Sequence, residues 1–260
     1  LHHAVNIKKD DLLDLVFVAQ PNPPVAEGVW QIEVNYDKLP DHIKQDDTVL
    51  LDNGLIQLKV IESSPEKIRC QVLDDGELKS RRHVNLPGIE TGLPSLTEKD
   101  RRDSLVGIEC KHDFFALSFV RDADSIDLFR SFLKDNGSDA QVIAKLEDQK
   151  GVQNLKEIIQ AADALMVARG DLGIECPFEE LPIIQRKAVG SCQAAGKPVI
   201  VATHMLESMI ESPVPTRAEI SDVANAVNEG SDCIMLSGET TTGKFPIDCV
   251  KILTRIASRM

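Results

Sequence analysis

The sequence is poor in aromatic residues, with one Trp and one Tyr among 260. It is also poor in positive charge: 29 Lys and Arg stand against 42 Asp and Glu, a formal net charge of −13. No basic stripe interleaved with aromatics occurs, so a nucleic-acid backbone or an anionic membrane surface would be a poor partner on charge. Long apolar runs are missing as well. Stretches such as Ala164–Ala168 and the run 197–202 fall far short of the ~20 residues that cross a bilayer, and no membrane span is expected. The six cysteines, at 70, 110, 176, 192, 233 and 249, form no CxxC pair and have no His at zinc spacing. They read as free thiols in a reducing compartment, so a cytoplasmic location is expected. His2, His3, His42, His83, His112 and His204 offer no metal-ligand spacing either. The first residue is Leu1, and the chain reads as a piece of a longer one.

With 42% hydrophobic and 27% charged residues, the composition is that of a folded protein of one or two domains. Residues 1–84 carry short strands and turns. Thr48–Leu51 and Leu55–Val60 flank Asn53-Gly54, a pair that accepts the positive φ of a tight hairpin. A turn at Asp74-Asp75-Gly76 follows the alternating run from Ile68 to Leu73, and Pro21-Asn22-Pro23-Pro24 breaks the earlier strands. This region is predicted to be a small all-β domain.

From 85 to 260 the texture changes to apolar strands alternating with amphipathic helices, the signature of βα units around a parallel sheet. Five strands are expected: 114–120, 141–146, 164–168, 198–202 and 233–237. Thr216 with Glu219 makes a capping box, and Gly137, Gly196 and Gly230 sit where helices should stop. Five units in 176 residues give about 35 each, near the ~31 of an eightfold barrel. The fold class is therefore α/β: a partial (β/α)8 TIM-type barrel, three units short, with a small all-β domain. An open doubly wound sheet is the competing arrangement.

Polar groups gather where the apolar runs end: Ser118 and Arg121, Lys145 and Glu147, Arg169 and Asp171, Thr203 and His204, Ser237 and Glu239. In parallel barrels that rim is where active sites are built. Lys145 and Glu147 are two apart and emerge on one face; a surface ion pair is the bland alternative. Glu147 with Asp171 from the adjoining strand offers two hard carboxylates to Mg²⁺, leaving positions for water and phosphate, with Lys145 as a point charge beside the anion. Gly170-Asp171-Leu172-Gly173 serves equally as amides receiving a carboxylate or phosphate, or as a tight turn needing glycine for φ. The run from Gly238 to Lys244 nearly matches a phosphate-cradling GxxxxGK[ST] loop but lacks the final hydroxyl residue, Phe245 standing there instead.

These same segments carry a family resemblance. Val84-Asn85-Leu86-Pro87-Gly88, the run 117–121, Ile143-Ala144-Lys145-Leu146-Glu147, the run 166–173, Pro215-Thr216-Arg217-Ala218-Glu219 and Met235-Leu236-Ser237-Gly238-Glu239-Thr240 together resemble pyruvate kinase. The resemblance implies that 1–84 is the family's β-barrel lid domain and 85–260 the last five βα units of its catalytic barrel. The first three strands and a regulatory domain would lie outside the chain. It implies transfer of the phosphoryl group of phosphoenolpyruvate to ADP, giving pyruvate and ATP. Lys145 would act on the phosphoryl in flight, and Thr203 and Ser237 would belong to the proton-delivering network. Ser118, Lys145, Gly170, Asp171 and Thr203 would bind substrate. Glu147 and Asp171 would hold Mg²⁺ or Mn²⁺. K⁺, whose ligands belong to the missing strands, and a homo-oligomer at full length are also implied. His204, Asp148, Lys150, Asn53 and Arg82-His83 depart from the family's usual residues. A non-catalytic relative that partners full-length subunits, and a Mg²⁺-dependent lyase or aldolase, are the alternative functions.

Overall fold

In this computed structural model the described residues are 4–17, 28–52, 54–80, 82–89, 92 and 96–260. The chain divides into two compact units, Leu1–Leu93 and Pro94–Met260. The sequence reading set the change of texture at 84/85, nine residues before this division.

The first unit holds β1 (Val5–Ile7), β2 (Leu12–Phe17), β3 (Val29–Val34), α1 (Leu39–His42), β4 (Thr48–Leu51), β5 (Ile56–Ser63), β6 (Lys67–Val72), β7 (Gly76–Leu78) and β8 (Val84–Asn85). Six strands pair in the order β3-β2-β6-β5-β4-β8, and β1 pairs with β7. Alternation does the sorting: in β6, Ile68, Cys70 and Val72 are buried while Lys67, Arg69 and Gln71 are half-buried. β4 and β5 pair antiparallel with Leu51 opposite Ile56, as the hairpin reading requires. Gly54 has φ +81; Asn53 lies outside the described residues, as does the Pro21–Pro24 loop. Within β2, Asp14 is buried among apolar neighbours and bound by Arg69 (2.8 and 2.9 Å) and Lys67 (3.1 Å). Burial alone would push its carboxyl up, but those two cations outweigh it and hold it below the usual carboxylate value.

The second unit contains α2 (Glu98–Glu109), β9 (Phe114–Leu117), α3 (Ala123–Asp135), β10 (Gln141–Leu146), α4 (Gln149–Gln153), α5 (Leu155–Ala161), β11 (Ala164–Ala168), α6 (Arg169–Glu175), α7 (Leu181–Ala195), β12 (Val199–Ala202), α8 (Arg217–Asn228), β13 (Cys233–Met235), α9 (Gly238–Thr241) and α10 (Pro246–Ala257). All four strand pairings are parallel, and the order is β13-β12-β11-β10-β9. Strand order follows chain order without reversal. A doubly wound sheet reverses at a switch point, so this unit is a partial (β/α)8 barrel.

Each strand has a helix side and an inner side. Val142, Ala144 and Leu146 share a core with Ile126, Phe129 and Ile158. Ile143 and Lys145 alternate with them and face the opposite way. The predicted strand 114–120 stops at Leu117 because Phe119 turns to φ +51, which no strand accommodates. The strand expected over 233–237 likewise ends at Met235. The Thr216/Glu219 capping box forms as read, and Gly137, Gly196 and Gly230 have φ +77, +65 and +91 at helix ends.

Candidate active site at the strand ends

β10 delivers Lys145 on its inner face, and Glu147 follows just beyond the strand with the same parity. Their side chains meet: Nζ lies 2.5 Å from Oε1, with the lysine 23% and the glutamate 1% exposed. The bland reading of a surface pair fails on that burial. Lys145 Nζ also donates to Ser118 Oγ at 2.9 Å, which joins β9's end to β10. The second glutamate oxygen accepts the Phe119 amide at 2.6 Å. That amide is aimed by the left-handed turn at Phe119, a contact no sequence pattern foretold because Phe rarely adopts positive φ.

The next strand end supplies Gly170 and Asp171, both in α6 and half-buried. Neither Gly170 nor Gly173 has positive φ, so a turn needing glycine for φ alone is excluded. Close approach is tight at Gly173, while at Gly170 a Cβ would make only ordinary contact. A Cβ on Gly170 would stand 3.4 Å from Thr203 Oγ1, and one on Gly173 would stand 3.0 Å from Leu181 Cδ1. Thr203, beyond β12, accepts the Gly170 amide on Oγ1 at 2.6 Å and donates to the Ala202 carbonyl at 2.6 Å. Thr203 and His204 are consecutive left-handed residues, φ +71 and +54. For a β-branched side chain this is strained backbone, costing about 1–3 kcal/mol.

Past β13, the Ser237 hydroxyl is sealed from solvent and has no hydrogen-bond partner among the described residues. Such an orphan in a native structure calls for a ligand or water. Glu239, wholly buried, accepts the amides of Leu206 (3.0 Å) and Ser237 (2.7 Å) and so ties the β12 and β13 loops together. The near-match to a phosphate loop resolves differently: Lys244 pairs with Glu211 at the surface.

The structure thus joins Ser118, Lys145 and Glu147 in one hydrogen-bonded group and Gly170 with Thr203 in another. Asp171, after β11, and Ser237, after β13, make no side-chain hydrogen bond to either group among the described residues. No set of three or more His, Cys, Asp or Glu placed for a metal occurs among the described residues. The donor chemistry nonetheless fits Mg²⁺ or Mn²⁺. Each Glu147 oxygen carries one donor and keeps a lone pair free, and Glu147 and Asp171 are hard oxygen ligands.

Asp148, next to Glu147, caps α4 through the Gly151 amide (2.8 Å) and binds Arg121 Nε at 2.6 Å. This pair fixes the turn after β10 from beneath. Gly151 is required there, since a Cβ would come within 2.8 Å of the Val120 carbonyl.

Against known proteins, a family model described as the pyruvate kinase barrel domain matches residues 5–250. The chain is 48% identical over 228 residues to plastidial pyruvate kinase 2 of Arabidopsis thaliana, covering 88% of this chain and 39% of that protein. It is 47% identical over 232 residues to a pyruvate kinase of Bacillus licheniformis, with 88% and 40% covered. Against pyruvate kinase isozyme G, chloroplastic, of Ricinus communis it is 46% identical over 241 residues, with 92% and 58% covered. The chain therefore spans about two-fifths of the length of the first two.

Proposed function

Because the chain belongs to the pyruvate kinase family, we propose that its strand ends form part of a site that moves the phosphoryl group of phosphoenolpyruvate to ADP. The observation that carries the reading is the half-buried Lys145 ammonium held between Glu147 and Ser118 at the mouth of a parallel sheet. Phosphoryl transfer asks a protein mainly for positioning and charge neutralisation. A cation fixed by two partners is already oriented and needs no reorganisation when charge develops beside it. Ser118 steadies that ammonium and contacts the phosphoryl oxygens. Gly170, through its amide, and Thr203, through its hydroxyl, receive the substrate carboxylate. The orphaned Ser237 hydroxyl and Thr203 hold the water that returns a proton to the enolate carbon. Glu147 and Asp171 hold Mg²⁺ or Mn²⁺, which when bound supplies positive charge to the phosphoryl oxygens. K⁺ is part of the same proposal, with no residue of this chain assigned to it. The β unit serves as the lid that keeps water from the donor. A reducing location, the cytoplasm, agrees with six free thiols; the relatives' own names include both plastidial and bacterial proteins.

The test is formation of pyruvate from phosphoenolpyruvate and ADP by the full-length gene product, followed through coupled NADH oxidation. Mg²⁺-dependent turnover is expected. Cleavage of a carbon–carbon bond in an oxo acid would replace the proposal with a lyase. Absence of both activities in a folded protein would make it a non-catalytic relative.

A further inference from the structure

We propose that Arg169 is the positioning residue that holds Thr203 in its left-handed conformation and thereby sets the Thr203 hydroxyl on the Gly170 amide. The inference rests on the reading of Thr203 as a substrate-contacting group and adds the residue that places it. Three observations support it. First, the turn is strained: Thr203, a β-branched residue, has positive φ, which makes it an outlier for its type. Such a conformation persists only where its surroundings over-determine it.

Second, the Thr203 carbonyl is caught by the fork of one guanidinium, Nη2 at 2.7 Å and Nε at 3.2 Å. Two parallel donors on a single acceptor fix the peptide plane as well as its distance. A lysine, with one compact ammonium, would hold the distance alone.

Third, the arginine is itself immobilised. Its side chain is 12% exposed, and Nη1 is bound by Asp222 Oδ1 (2.8 Å) and Gln185 Oε1 (3.3 Å) from α8 and α7. Gln185 in turn donates to Glu229 Oε2 at 2.8 Å. Arg169 directly precedes Gly170 and Asp171, so the same residue anchors both arms of the proposed carboxylate grip: its backbone starts α6, and its side chain fixes the β12 loop. Glu239 braces the far side of that loop through the Leu206 amide.

The test is amide exchange of Gly170 in this chain, whose N–H is protected only while Thr203 Oγ1 accepts it. Arg169→Met is expected to raise Gly170 exchange by about tenfold while Val167 in β11 stays protected. Arg169→Lys is expected to fall between, and Asp222→Asn, which leaves the fork on Thr203, to stay near the parent rate. In the full-length product, Arg169→Met should raise KM for phosphoenolpyruvate with KM for ADP unchanged, and Arg169→Lys should recover part of the loss. Unchanged Gly170 protection in both arginine variants overturns the proposal. So does equal loss in Asp222→Asn, which would make the arginine a general structural tie. If Arg169→Met does not fold, Arg169→Lys decides alone. Exchange needs no substrate, so a failure to bind phosphoenolpyruvate defeats the proposed function and leaves the exchange result standing.

Discussion

Left-handed backbone is distributed differently in the two units. In the β unit, the non-glycine residues with positive φ among those described are Asp10, Asp46 and Asp52. Asp tolerates this region because its short side chain bonds its own backbone. In the barrel unit they are Lys111, Phe119, Thr203 and His204, and the last three sit where strands end. One unit uses residues suited to their turns; the other forces unsuited residues into turns that aim an amide or a hydroxyl. Charge follows the same division. Asp14 is bound by two cations and serves the sheet, whereas Glu147 pairs with the partly exposed Lys145 where β10 ends. Strain and free bonding capacity mark the barrel unit, and saturation marks the β unit.

Lys145→Met tests this contrast with the largest effect. Turnover by the full-length product should fall about a hundredfold, or ~3 kcal/mol of transition-state stabilisation, while the thermal midpoint barely moves. Unchanged turnover would show that the rim lysine is no different from a buried structural charge. Asp14→Asn should do the reverse, costing about 2 kcal/mol, read as faster amide exchange along the β2–β6 ladder with the barrel strands unaffected.

Acid should act on Asp14 and on the half-buried Asp163 and Glu219. Asp14 is held low by Arg69 and Lys67. Asp163 is held low by the Val142 amide and Arg130, and Glu219 by Ser208 and Thr216, in each case against the upward push of burial. Their folded values lie below the unfolded ones, so their stabilisation is complete above the ordinary carboxylate range of 3.8 to 4.5. It is lost as pH falls through that range and below. Denaturant midpoints taken from pH 6 down to 3 would reveal it, and Asp14→Asn should remove part of the slope.

A smaller effect separates the turns. His204→Gly should relieve left-handed strain and stabilise the barrel unit by about 0.5–1 kcal/mol, with weaker phosphoenolpyruvate binding. Asp46→Gly should change stability by less than about 0.5 kcal/mol. Equal gains would erase the distinction between the units. Least of all, thiol labelling at neutral pH should modify Cys110 and Cys233, which are exposed, and spare the rest. Burial pushes Cys70 and Cys192 up to about 12 and Cys176 to about 11, and raises Cys249 as well.

The barrel was legible in the sequence because period and punctuation agree there. β10 and β11 fall on the predicted residues, and the Thr216 box and the helix-ending glycines stand where they were read. The Lys145–Glu147 pair was legible through parity alone. What escaped has a common cause. Phe119 and Thr203 take conformations that their residue types disfavour, so composition points away from the truth at these positions. The fork of Arg169 on Thr203 joins residues 34 apart, and the pairing of β7 with β1 rather than with its sequence neighbour is equally non-local. The compact first unit runs to Leu93, past the predicted change at 84/85, and β8, which straddles that point, pairs with β4.

The hydrogen bond between the Gly170 amide and Thr203 Oγ1 has one further consequence. In the proposed carboxylate grip, Thr203 Oγ1 is a tethered competitor, at high effective concentration, for the Gly170 amide that an incoming acid would take. Observed affinity is thus a difference between two acceptors, guest and host, and a stronger internal clasp discounts every guest alike. Among small acids, discrimination then falls to the ones able to engage the evicted hydroxyl as well.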